Sequence, residues 1–309
     1  MCREALEGLN INPVGTYVDT TFGGGGHSCA ILSCLAEGGH LFAFDQDKDA
    51  ATVAATRQWP ETGGEFTFIN ENFRHLKSFL RLHGVRRVNG VLADLGVSSH
   101  QFDTAERGFS TRLDGSLDMR MDERQETSAR DLVNSLGEEE LAELLRLYGE
   151  LPNARQMAHA IVKARDFKTI ETTFELREAV SRHLPRGMEN KYLAMLFQAL
   201  RIEVNGELDA LKELLQQACE ILEEGGRLVV ISYHSLEDRL VKNYMKTGNF
   251  EGQLEKDFYG NVLAPMRMVC RKAVQPSEEE IAANNRARSA KLRVAEKVGD
   301  GQTNKGQLK

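Results

Sequence analysis

The chain reads as an α/β protein, a Rossmann-like sheet of parallel strands interrupted by an all-helical insertion. Three observations predict this. Short β-branched or apolar runs alternate with amphipathic stretches over the first hundred residues; no convincing strand falls between about 104 and 205; and a strand pattern returns at 227–232. Residues 16–19 give the first strand, running into Phe22, four glycines and a helical stretch carrying Ile31, Leu32 and Leu35. Residues 40–44 give the second and end at Asp45; 66–69 give the third, ahead of Asn72 and Phe73; 88–93 give the fourth and end at Asp94. In an open α/β sheet ligands bind at the carboxyl ends of strands, so these acids mark where chemistry is expected.

Beyond the fourth strand a loop rich in Gly, Asp and Arg (106–122) leads into helical spacing such as Leu141, Leu144, Leu145 and Tyr148. The α/β pattern resumes with Leu208, Leu211, Leu215, Ala218 and Leu222 on a helix closed by Gly225 and Gly226, then the strand 227–232. Two further strands are expected at 266–274 and 290–295. The first domain is therefore discontinuous, 1–103 with 206–298, the insertion is 104–205, and 299–309 is expected to be a disordered tail.

Composition narrows the function classes. With 309 residues, 41% hydrophobic, 28% charged and 6 Pro, neither a disordered nor a collagen-like chain fits. A net charge of −7 argues against coating nucleic acid by bulk charge, although from Pro265 onward ten Lys or Arg face five Asp or Glu. No run of 18 apolar residues exists and the start lacks a signal-peptide core, so no membrane association and a cytoplasmic location are expected. The five cysteines are scattered without a CxxC pair, which indicates no disulfide framework and no metal site, and reads as small buried hydrophobes.

The segment Asp19, Thr20, Thr21, Phe22, then glycines 23–26, His27 and Ser28 joins a strand to a helix, and glycine there lets a ligand approach the backbone without meeting a Cβ. Asp45, about twenty residues on at the next strand end, can accept hydrogen bonds from both hydroxyls of a ribose. The run does not satisfy GxGxxG, and no GK[ST] phosphate grip is present. A cofactor with a ribose and a small charged tail but no pyrophosphate fits better, S-adenosylmethionine being the common one, with Asp19 and Asp94 near its cationic end.

At Asp94, Leu95, Gly96, Val97, Ser98, Ser99, His100, Gln101 a wider pattern emerges. Together with the segment 21–28, Glu106-Arg107-Gly108-Phe109-Ser110, the run 114–122, the run 197–205, Ser232-Tyr233-His234-Ser235 through Arg239, and 286–293, the chain closely resembles the RsmH/MraW family over nearly its whole length. The resemblance implies a seven-stranded class I methyltransferase sheet with a helical insertion after the fourth strand. It implies an S-adenosylmethionine-dependent enzyme that methylates N4 of one cytidine in the decoding region of bacterial 16S rRNA, within the small ribosomal subunit or a late precursor, with homodimerisation left open. It also implies Gly25, Gly26, His27, Asp45, Phe73, Asp94 and Gln101 as cofactor contacts. The chain departs from the family in starting after the usual His-x-Pro-Val-Leu segment and in reading Asn190-Lys191-Tyr192 where a His-Pro pair is common.

An exocyclic cytosine amine is a poor nucleophile because its lone pair is delocalised. A group accepting the amine hydrogens, with the nitrogen held in line with the methyl donor, offsets that. Asp94, assisted by the turn through Ser98, is the candidate for this role, with a purely cofactor-directed role as its alternative. Tyr233, His234 and Ser235 follow a strand and are expected at the same rim, where they could contact a flipped base. His234 also reads as a helix-start residue, and Ser235 with Asp238 as a capping box. Arg107, Arg112, Arg120 and Arg124, interleaved with acids, read as a structural ion-pair loop or as phosphate contacts. Arg286, Arg288, Lys291 and Arg293 read as RNA contacts. Phe73 reads as core or as a stacking platform for adenine. The competing functions are a nicotinamide dehydrogenase, which predicts GxGxxG, and a non-catalytic RNA or ribosome-assembly binder, which predicts loss of Asp45 or Asp94.

Overall fold

The computed structural model describes residues 1–258, 260 and 262–299; apart from Gly299, the expected tail lies outside them. Among the described residues seven strands form one sheet: β1 Thr16–Asp19, β2 His40–Phe44, β3 Glu65–Ile69, β4 Val88–Asp94, β5 Leu222–Ser232, β6 Met266–Met268 and β7 Lys291–Lys297. Their order is β3-β2-β1-β4-β5-β7-β6. Strands β1 to β5 pair in parallel, and their near-continuous apolar runs are what a sheet covered on both faces requires. From β1 the chain winds outward through β2 to β3 and then crosses back to lay β4 on the other side of β1. That reversal opens a crevice between the carboxyl ends of β1 and β4.

The C-terminal edge, whose strand directions the sequence left open, departs from the parallel pairing of the first hundred residues. Strand β7 runs antiparallel to β5, Ser232 facing Lys291 and Arg227 facing Glu296, because the chain re-enters the sheet beside the carboxyl end of β5 and can only run back. The strand expected over 266–274 is short: Met266–Met268 pairs with β7, and Val274 makes only an isolated bridge to Leu292. The preceding helix runs Glu207–Ile221 and β5 starts at Leu222, earlier than the glycine pair suggested. Gly225, at φ 79°, instead sits within the irregular stretch where the β4–β5 register slips.

Two compact units emerge, Met1–Gly96 with the chain from Asp209 onward, and Val97–Leu208. The sequence placed the insertion at 104–205. Each unit has its own core. In the first, Val18, Phe42, Phe44, Val91, Leu228 and Val230 are buried between sheet and helices. In the second, Leu141, Leu144 and Leu145 meet Met157, Ile161, Leu196 and Leu200. Its helices begin with residues that satisfy the first free N–H groups: Ser128 with Asp131 and Thr172 with Glu175 form reciprocal capping boxes. No helix among the described residues is long and apolar enough to cross a membrane. Of the cysteines only Cys219 is buried; Cys2, Cys34 and Cys270 are exposed, which corrects their reading as core residues. Cys2 and Cys34 sit near helix ends and Cys270 in a loop, positions that local hydropathy does not distinguish from core.

Candidate active site

The strand tips on either side of the crevice carry acids held by short local contacts. Asp19, at the end of β1, is fully buried; its carboxylate accepts the Ser28 hydroxyl at 2.6 Å and the Thr21 N–H at 3.1 Å. Asp45, just past β2, accepts the Gly23 N–H at 2.7 Å on one oxygen and the Asp47 N–H at 2.9 Å on the other. The glycine turn is thus tied to the acid that follows the next strand. Both carboxylates retain lone pairs for a further donor.

Within the turn, Gly25 caps the helix Gly26–Leu32 in the left-handed conformation, φ 72°. A Cβ there would strike the Phe22 ring at 2.7 Å, so glycine is required by backbone and packing together. Phe22 is itself wedged against Trp59 and Phe68, and the Arg57 guanidinium donates to the Gly24 carbonyl at 2.6 Å. At Gly24 and Gly26, by contrast, a Cβ would meet no atom within 4 Å. These two glycines are not demanded by the protein's own packing.

Asp94, at the end of β4, gathers the remaining groups. Its Oδ1 accepts the Tyr233 hydroxyl at 2.8 Å, its Oδ2 lies 3.5 Å from His27 Nδ1, and its own N–H donates to the Thr21 hydroxyl at 2.6 Å. The other ring nitrogen of His27, Nε2, is buried without a hydrogen-bond partner. Burial raises the carboxyl pKa of all three acids. At Asp94 His27 and the Tyr233 hydroxyl oppose the rise, and at Asp19 His27 and Ser28 do. Asp45 is pushed up to about 6 by burial, against its two backbone N–H donors. Tyr233 is raised as well, by burial and then by the Asp94 charge. Among the described residues no Lys or Arg balances these acids, so the site suits a ligand bringing hydroxyl donors and positive charge.

The other expected site residues are placed as follows. Phe73 starts the turn Phe73–His75 after the cap Asn72 and is half-buried against the main core. Ser98 and Gln101 belong to the other unit, where they form a capping box on the helix Ser99–Asp103: the Gln101 N–H donates to Ser98 Oγ at 3.2 Å and the Ser98 N–H to the Gln101 carboxamide oxygen at 2.9 Å. His234 caps the helix Ser235–Thr247, its Nδ1 accepting the Glu237 N–H at 3.4 Å. Its Nε2 lies 3.1 Å from Glu237 Oε1, at an angle too poor for a hydrogen bond. The cap is therefore His234, one residue before the Ser235 read from the sequence, and Glu237 does not close a reciprocal box with it. Glu237, 3% exposed, accepts the Tyr233 N–H at 2.9 Å and so braces the site tyrosine.

Asp238 is used elsewhere: it accepts from Arg293 at 2.7 Å and Lys291 at 3.1 Å. The two cations expected as RNA contacts are therefore paired, Arg293 buried against Asp238 and Lys291 half-exposed beside it. In the helical unit the loop is a structural ion-pair network. Arg120 forks onto Asp118 with two bonds of 2.8 Å, Arg124 pairs with Asp122, and buried Arg107 donates to the carbonyls of Arg120 and Met121. Sequence reading missed the positioning roles of Thr21, Ser28, Arg57 and Glu237. Hydroxyls flanking the glycine run were the only visible signal, and it is a weak one.

The MraW methylase family matches residues 1–298. Proteins named ribosomal RNA small subunit methyltransferase H are similar throughout. That of Bacteroides thetaiotaomicron is 56% identical over 297 residues, covering 96% of each chain, and that of Flavobacterium johnsoniae 55% identical over 298 residues, again 96% of each. The protein of that name from Cytophaga hutchinsonii is 55% identical over 96% of this chain and 98% of its own. A solved rRNA methylase from Streptococcus thermophilus spans 96% of this chain and 94% of its own at 12% identity with a TM-score of 0.42, too distant to carry an argument. With its strand-tip acids at the switch point and a family match over nearly its full length, the chain belongs to the MraW methylase family.

Proposed function

We propose that the protein transfers the methyl group of S-adenosylmethionine to the N4 amine of a cytidine in 16S rRNA, acting in the cytoplasm on the small ribosomal subunit or a late precursor. The observation that carries the reading is the trio Asp19, Asp45 and Asp94, set at the ends of adjacent parallel strands around a glycine turn and left without balancing Lys or Arg among the described residues. S-adenosylmethionine supplies an electrophilic methyl group on a positively charged sulfur. The residues fit it: Gly24 and Gly26 leave their Cβ space open, His27 Nε2 is a buried polar atom without a partner, and the acids suit ribose hydroxyls and cationic groups.

Asp45 holds the ribose hydroxyls with the lone pairs its backbone donors leave over. Asp94, fixed in orientation by Tyr233 and Thr21, accepts a hydrogen of the target amine and keeps the nitrogen lone pair directed at the methyl carbon. With the cofactor held there, its methyl carbon would pass to the amine nitrogen and the carbon–sulfur electron pair would leave with sulfur, the product nitrogen losing its extra proton to water. Neither His27 nor His234 is required as a base. Ser98 acts by starting the helix after the site, and the insertion contributes substrate recognition by shape, since Arg107, Arg120 and Arg124 of its loop are committed to acids and carbonyls.

Incubation of 30S subunits lacking the modification with labelled S-adenosylmethionine, followed by nucleoside mass spectrometry, tests the proposal. N4-methylcytidine is the expected product; label on a ring carbon or a ribose oxygen would overturn it.

A further inference from the structure

Away from the strand-tip acids, the catalytic unit contains an open recess of about 600 Å³ lined by Lys242, Arg271, Lys272, Lys291 and Arg293, completed by one alanine and one glutamine. Among the described residues no acidic one lines it. Asp238 pairs with Lys291 and Arg293, which leaves Lys242 and Lys272 as positive charge in the recess on a chain whose net charge is −7. Lys242, Arg271 and Lys272 are exposed, whereas Arg293 is buried and held at 2.7 Å by Asp238. Arg293 is therefore fixed, whereas the long side chains of Lys242 and Lys272 can move to meet a ligand.

The recess is also positioned. Lys291 is the cross-strand partner of Ser232, the residue before Tyr233, which bonds Asp94. The paired ends of β5 and β7 thus carry the site tyrosine and one wall of the recess respectively. Lys242 comes from the helix that His234 caps, and Arg239 and Lys246 share its face at helical spacing, extending the basic surface along that helix.

We infer that this recess binds the phosphodiester backbone of the substrate RNA next to the target nucleotide. The inference rests on the proposed rRNA methylation. Among the described residues its lining holds no aromatic ring on which a base could stack, which fits a grip on charge and not on sequence. Its open form admits a continuing strand, where a small metabolite would favour an enclosed cavity. It supplies the local positive charge that an acidic protein needs to hold RNA.

The double variant Lys242→Gln/Lys272→Gln tests this, with Lys212→Gln as a control that removes charge elsewhere on the same unit. Affinity for unmodified 30S subunits is measured between about 50 and 200 mM salt. Each lost phosphate contact is expected to lower the log–log salt slope by about 0.7–0.9. The double variant should lose up to twice that, with a raised KM for subunits and unchanged S-adenosylmethionine affinity and kcat. Lys242→Arg/Lys272→Arg should restore the slope. An unchanged slope in the glutamine double variant, or an equal loss in Lys212→Gln, would overturn the inference. Wild-type protein that binds subunits with a steep salt slope but transfers no methyl group sinks the methylation reading alone, and the variant slopes still decide the recess. Wild-type protein with no salt-dependent binding sinks both.

Discussion

Two regions use aspartate in opposite ways. At the strand tips, burial raises Asp19, Asp45 and Asp94, and the groups around them are hydroxyls, backbone N–H donors and one imidazole. In the loop of the helical unit Asp118 lies below the usual carboxylate range: burial pushes it up, but the bonds and charge of Arg120 outweigh that. An acid that has its cation is part of the scaffold. One buried without a cation costs stability and is retained for what it will bind. The residue type is the same in both places, and the partner decides its use.

The sharpest way to break the contrast is Asp94→Asn, which keeps the shape but removes the charge. Turnover is expected to fall on the order of a hundredfold or more, with Tm nearly unchanged, measured as single-turnover methyl transfer beside a thermal melt. A loss confined to S-adenosylmethionine affinity would assign Asp94 to the cofactor alone. Gly26→Ala should likewise leave the fold intact, since the added methyl meets no protein atom, while cofactor affinity by calorimetry drops on the order of tenfold or more. Wild-type affinity in that variant would remove the glycine turn from the site.

In the loop the expectation reverses. Arg107→Ala strips buried donors from the carbonyls of Arg120 and Met121 and should cost about 1–3 kcal/mol in denaturant unfolding, with cofactor affinity unchanged. Smaller still is Tyr233→Phe. Loss of one hydrogen bond to Asp94 should slow single-turnover methyl transfer by about 1 kcal/mol, roughly fivefold, with cofactor affinity unchanged.

The pH dependence sharpens the comparison further. Asp45, raised to about 6, carries its proton in the folded protein where the unfolded chain has already lost it. Its stabilising contribution is therefore lost as pH rises from about 4 towards 6, while binding that needs its carboxylate strengthens over the upper part of that range. Asp118, lowered, contributes stability above its unfolded pKa that is lost as pH falls through its folded value. Asp45→Asn should flatten the rise of cofactor affinity near pH 6, and Asp118→Asn should flatten the acid-side loss of stability. Matching profiles for the two variants would remove the distinction.

Much of the fold and site was legible in the chain. The strand tips at Asp45 and Asp94 stood out because each closes a run of apolar residues, and the turn because four consecutive glycines between a strand and a helix suit a tight bend with open space above it. Less was legible where the partner is remote. Reading Ser235 with Asp238 as a cap obeyed local spacing, yet His234 is the cap, buried Glu237 takes the Tyr233 N–H, and Asp238 is drawn to cations of β7 more than fifty residues away. The shortened β6 and the reversed β7 have the same origin, since strand direction depends on which edge the returning chain reaches.

Sequence alone determined where the strands end, which residues could bend the chain tightly, and where helices replace strands, because these depend on hydropathy period and turn chemistry within a few residues. Only the tertiary structure decided which acid meets a guanidinium and which meets a hydroxyl: Tyr233 reaches Asp94 across 139 positions of chain, whereas Arg120 reaches Asp118 across two. Charge compensation is set by distance in space, and the local pattern of the chain carries no record of the longer of those two approaches.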